Sequence, residues 1–77
     1  MEIVRLIDHG IYPRKAISEA RAAYKDYCAV RVEPLPGDRA RLTISVLPNH
    51  ASDSREVVLN FLNYALDKSA EVHLQGD

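Results

Sequence analysis

The 77-residue chain predicts a small α+β domain. Two helices cover one face of a three-stranded sheet, giving a two-layer sandwich in the order β-α-β-β-α. Three observations carry that prediction. Glu2–Ile7 is a short β-branched and apolar run, and apolar residues alternate with period two over Cys28–Glu33 and Arg39–Leu47. They recur at helical spacing over residues 12–27 and 53–67. Asp8-His9-Gly10, Pro34-Leu35-Pro36-Gly37-Asp38 and Pro48-Asn49-His50-Ala51-Ser52 separate these stretches with turn chemistry. Residues 1–77 form a single domain, since a chain this short has room for one.

Each element follows from its pattern. In the first strand Val4 and Leu6 point one way and Ile3, Arg5 and Ile7 the other. The charge on Arg5 marks its side as the open one. Pro13 suits the first turn of a helix, where its missing N–H costs nothing. From there Ala16, Ile17, Ala20, Ala23, Tyr24 and Tyr27 fall on one face, and Arg14, Ser18, Arg21 and Lys25 on the other. The second strand turns Cys28, Val30 and Val32 inward; the third turns Leu42, Ile44 and Val46 inward. Prolines end the second strand, and Gly37 offers the positive φ a hairpin needs. Asp53 stands three residues before Glu56, the spacing of a capping box. In the helix that follows, Val57, Val58, Phe61, Leu62, Ala65, Leu66 and Ser69 make a broad apolar face, opposite Glu56, Asn60, Asn63 and Asp67. Residues 70–77 stay open. Val72 continues the helical face, but 71–75 also alternate like a strand, and a fourth strand would complete a ferredoxin-like βαββαβ unit.

Composition excludes several classes. At 47% hydrophobic and 27% charged residues the chain is globular in character rather than disordered. A formal net charge of -1 argues against a strong nonspecific hold on nucleic acid. Charge is nonetheless uneven: residues 1–41 carry a net +2 and residues 42–77 a net -3. No apolar run approaches the ~20 residues of a membrane span. Glu2 and Arg5 interrupt the N-terminal apolar patch, which is not a signal peptide. The single cysteine, Cys28, has no partner for an internal disulfide and fits a reducing cytoplasm, the expected location.

No catalytic constellation emerges, so the chain is read as a non-enzyme without cofactor or metal. His9, His50, His73 and Cys28 occupy separate elements at no metal-site spacing. Cys28 sits at an inward strand position, where cysteine behaves as a small hydrophobe rather than a nucleophile. The three glycines are too scattered for a phosphate loop.

Two surfaces remain as binding candidates. The open sheet face is expected to show Arg5, Arg31 and Arg41 among Ile3, Ile7, Thr43 and Leu47. Arginine mixed with aliphatics suits a protein interface, and a domain of this size gains from extra burial. The expected partner is therefore a protein or peptide, including a second copy joined through a sheet edge or the open face. The alternative is a nucleic-acid- or phosphate-binding domain using the same arginines, though the face lacks the aromatics of RNA-binding sheets. The second surface is the stripe Asn60, Asn63 and Asp67. Asparagine is a poor mid-helix residue, because its side chain competes for backbone hydrogen bonds. Hydrogen bonding to a partner backbone is the use it would have.

Phe61-Leu62-Asn63, followed by Leu66-Asp67, resembles the F-x-N-x-x-L-D pattern of HxsD-like proteins. These are small proteins of the His-Xaa-Ser systems, encoded beside radical-SAM peptide-modifying enzymes. Tyr12, Ala16-Ile17 and Ala23-Tyr24 in the first helix, and the two strands after it, are similar too. The likeness spans residues 3–69 and is specific at five positions. It implies a non-catalytic accessory role in peptide maturation, presenting a precursor peptide or binding a modifying enzyme. Phe61, Asn63, Leu66 and Asp67 are the residues it carries over, Phe61 and Leu66 as core. The family's arginine-bearing C-terminal extension has little counterpart in these residues, so contacts made by that extension do not carry over.

Overall fold

The computed structural model describes residues 2–75. The elements are β1 (Glu2–Asp8), α1 (Arg14–Ala23), β2 (Cys28–Leu35), β3 (Arg39–Val46), a 3-10 helix (Pro48–Asp53) and α2 (Ser54–Gln75). The sheet has the order β1-β3-β2, with both neighbouring pairs antiparallel. β1 and β2 therefore run parallel on either side of β3, and α1 crosses over between them. Residues 70–75 continue α2, so they do not form a fourth strand; residues 76 and 77 lie outside the described residues.

β3 supplies the floor of the core. Ala40, Leu42 and Ile44 are fully buried and Val46 nearly so. Above them lie Val57, Val58, Phe61 and Ala65 of α2 and Ile17 and Ala20 of α1. Small residues let α1 approach closely: Ala16 and Ala20 expose nothing. Ser69 is buried without cost, because its hydroxyl donates to the Ala65 carbonyl at 2.6 Å.

Four expectations are corrected. First, the faces of β1 are reversed. Ile7 is buried and Ile3 packs on the core, whereas Val4 and Leu6 are 50% and 67% exposed. An edge strand apolar on both sides gives alternation nothing to choose by, and Arg5 misleads as a marker of the open face. Its guanidinium folds along the sheet edge and donates to the Val4 carbonyl at 3.2 Å, so it reaches water from the helix-bearing side.

Second, β2 runs through Pro34 to Leu35. Pro34 is tolerated because β2 is an edge strand and this position needs no inward donor. The turn contracts to residues 36–38, with Gly37 at φ 80° and Asp38 at φ 59°. Third, α1 ends at Ala23, so Tyr24 and Tyr27 occupy a turn; the N–H groups of Tyr27 and Cys28 both donate to the Tyr24 carbonyl. Fourth, the capping box has no place to form. The 3-10 helix runs straight into α2, so Asp53 is already in a helical turn rather than in the extended backbone of an N-cap.

Phe61 is the test of this core, being fully buried with its ring edge-on to Tyr24 at 6.0 Å. Phe61→Ala is expected to cost about 3–5 kcal/mol in urea unfolding. Leu59→Ala on the exposed flank of the same helix is expected to stay within about 0.5 kcal/mol.

Candidate functional site

The two sheet edges differ, and backbone bonding shows how. The His9 N–H donates to the Asp38 carbonyl at 3.0 Å, one step beyond the Asp8–Arg39 pair. Hydrogen-bonded pairs in an antiparallel ladder recur every second residue. Ile3, Arg5 and Ile7 therefore bond to β3, and Glu2, Val4, Leu6 and Asp8 turn their backbone groups outward. The turn takes up the Asp8 carbonyl through the Ile11 and Tyr12 N–H groups, and Arg5 covers that of Val4. The N–H groups of Val4, Leu6 and Asp8 and the Leu6 carbonyl are left facing out along the edge.

β2 offers fewer donors at its outward positions. The Leu47 N–H donates to the Tyr27 carbonyl at 2.9 Å, which places Cys28, Val30, Val32 and Pro34 at the outward positions. Cys28 gives its N–H to Tyr24, and Pro34 has none to give. A strand added to β2 would meet donors only at Val30 and Val32. Proline and inward bonding are ordinary ways of blunting an edge; β1 has only Arg5.

The open face is not the arginine cluster expected. Arg31, Arg41 and Thr43 lie on it, but Arg5, Ile3 and Ile7 belong to the helix-bearing face. Cross-strand neighbours there are Val4, Thr43 and Arg31 in one row and Leu6, Arg41 and Glu33 in the next. Glu33 sits 3.9 Å from Arg31 and 3.6 Å from Arg41. One carboxylate thus serves both arginines, and exposed pairs of this kind contribute little to stability. Thr43 is buried despite facing outward, because it lies on the central strand between Val4 and Arg31.

α2 presents two surfaces away from the core. Asn60, Asn63 and Asp67 are all exposed, as the helical spacing requires. Asn60 belongs to the rim of a separate cleft on the α1 side. The other surface was not legible as such: Leu59 and Leu66 are 54% and 49% exposed, flanking half-buried Leu62. Leu66 is therefore not core, contrary to the expectation. Spacing of i, i+3, i+7 over Leu59, Leu62 and Leu66 is the signal that marks a second apolar stripe. Tyr64, on the opposite flank, meets Tyr24 at the end of α1. α1 lies along β2, where Ser18, Arg21, Cys28 and Val30 share a groove. The leucine flank of α2 therefore looks toward the β1 side.

Cys28 is buried at the inward position expected of it, with its thiol 3.8 Å from the Tyr24 carbonyl. Burial pushes the thiol up from 9.0. The folded state thus holds that proton more tightly than the unfolded chain, and the resulting stability declines as pH rises past 9.0. At pH 8, alkylation of Cys28 is expected to be slower by at least about tenfold in buffer than in urea. Mass spectrometry of iodoacetamide-quenched samples measures this.

Among known protein families, curated proteins and solved structures, no family model, protein or structure matches the chain.

Proposed function

We propose that this protein is a non-enzymatic interaction module that takes a polypeptide partner along β1. The observation that carries the reading is the asymmetry of the sheet. β1 offers outward backbone donors at Val4, Leu6 and Asp8 and an acceptor at Leu6, with Val4 and Leu6 exposed on the open face and the leucine flank of α2 on the helix-bearing side, while β2 keeps outward donors only at Val30 and Val32. Strand addition supplies backbone hydrogen bonds for affinity and alternate side-chain contacts for specificity. Arg5 is the group a partner displaces, since its guanidinium occupies the Val4 carbonyl.

The resemblance to HxsD-like proteins supports a partner of a particular kind, a precursor peptide or the radical-SAM enzyme that modifies it. Of the four residues that carry over, Phe61 is buried, and Asn63, Leu66 and Asp67 lie exposed on neighbouring turns of α2. Packing explains the first and not the other three. The nucleic-acid alternative loses its main support, because Arg5 stands on the other face and Arg31 and Arg41 share Glu33.

A radical-SAM enzyme and a short precursor, where they are encoded beside this gene, supply the test proteins, and their absence from that neighbourhood counts against this kind of partner. Mixing each with this chain is expected to give a complex in which amide exchange at Val4 and Leu6 slows. Leu6→Pro removes only an outward N–H, so it should leave the fold intact and lower affinity at least about tenfold. Asn63→Ala should leave urea unfolding unchanged and weaken the same complex. Sedimentation of the protein alone tells whether a second copy takes the edge instead. Salt-sensitive RNA binding lost on Arg31→Ala and Arg41→Ala, with no polypeptide partner found, would overturn the reading in favour of the alternative.

A further inference from the structure

We propose a binding site for an organic cation, an alkylammonium or guanidinium group, in the cleft between the end of α1 and the start of α2. The cleft has a volume of about 580 Å³ and lies on the flank of α2 away from β1, so it stands independently of strand addition. Its aromatic wall is Tyr24, Tyr27 and Tyr64. The Tyr24 ring lies 5.7 Å from Tyr27 and 5.6 Å from Tyr64, tilted by 53° and 71°. A ring face carries the negative end of its quadrupole, so exposed tyrosine faces attract cations.

The polar wall is Asp53, Glu56, Asn60 and His50, whose imidazole packs on Tyr27 with ring centres 4.7 Å apart. Among the described residues no lysine or arginine lines the cleft and no ion pair reaches either carboxylate. Two carboxylates beside an aromatic floor attract a cation and repel an anion. Aromatic surface favours an organic cation over a metal ion, which needs oxygen or nitrogen ligands instead. Among the described residues no three His, Cys, Asp or Glu side chains converge in a metal-binding group. The molecule already shows the pairing once: the Lys68 ammonium stands 5.5 Å from the centre of the Tyr64 ring.

NMR titration of the full chain tests this, with ring and amide signals as the readout and Tyr12 as internal reference. The probes are tetramethylammonium chloride, acetyl-lysine methylamide and acetyl-arginine methylamide at constant ionic strength. Saturable millimolar shifts at Tyr24, Tyr27 and Tyr64 are expected, weakened at least about fivefold by Tyr27→Leu and by Asp53→Asn. Both altered positions are exposed, so the fold should survive; Glu56→Gln repeats the charge test if Asp53→Asn does not fold. A Gly-Gly-Lys-Gly-Gly peptide that binds more tightly than acetyl-lysine methylamide assigns the site to a side chain of a polypeptide, and equal binding assigns it to a free amine. Equal shifts from neutral tert-butanol, no shifts up to about 100 mM, or shifts indifferent to the substitutions would overturn the proposal.

Discussion

Pairing of β3 with a strand on each side is the constraint from which the rest of the structure follows. β3 alone has neighbours on both edges, and its inward residues Ala40, Leu42 and Ile44 are fully buried. Its register fixes which residues of β1 and β2 face the helices. Ile44 aligns Ile3 with Val30, and Ala40 aligns Ile7 with Pro34. A one-residue slip of β1 would turn Ile3 and Ile7 to water and Val4 and Leu6 inward. What prevents it is the turn after β1. His9 accepts no alternative partner there: its N–H bonds to Asp38 and its Nδ1 lies 3.0 Å from the Tyr12 carbonyl, while Asp8 accepts from Gly10. That turn ties β1 to the hairpin on one side and to the start of α1 on the other.

A three-stranded sheet must end twice, and the two ends are treated differently. At β2 the chain enters through a tight turn that consumes the first outward donor, then reaches a proline at the last outward position. At β1 the protection is one long, flexible cation. Arg5 covers a carbonyl without filling a place in the ladder, so it can be displaced at the modest cost of a solvent-exposed hydrogen bond. A permanent guard would be proline or a bulge. The difference between a partly blocked edge and a removable cover is the physical basis for proposing that a partner would add to β1 rather than β2.

Most of the fold was legible because periodicity and turn chemistry agreed along the chain. β3 is the clearest case: Leu42, Ile44 and Val46 alternate with Arg41, Thr43 and Ser45, and all three point inward as expected. β1 was not legible in its facing, since both of its sides are apolar and the one charged residue snorkels around the edge. The end of α1 was misplaced because Tyr24 and Tyr27 continue its apolar spacing while their backbone leaves the helix. Their reason for being aromatic lies in a turn that packs on α2, which spacing alone does not encode. The candidate site was legible only in part. Asn60, Asn63 and Asp67 stand out by residue type, whereas Val4, Leu6 and Leu66 read as covered positions and the structure leaves all three exposed.

α2 is where these surfaces meet. Its broad apolar face is wider than one sheet and one neighbouring helix can cover. α1 covers the flank carrying Tyr64, β3 covers Phe61 and Val58, and no described element covers Leu59 and Leu66. A helix serving only this small core would need apolar residues at Val57, Val58, Phe61 and Ala65 and could be polar elsewhere. The surplus leucines lie between the core face and the Asn63–Asp67 stripe, on the side where β1 leaves backbone groups unpaired. Exposed aliphatics rimmed by amide and carboxylate side chains, beside an edge strand held by a displaceable cation, have the composition of a docking surface. Any partner strand that pairs with β1 would have its alternate side chains directed toward that flank, so backbone recognition and side-chain selection would be made by two different elements of the same fold.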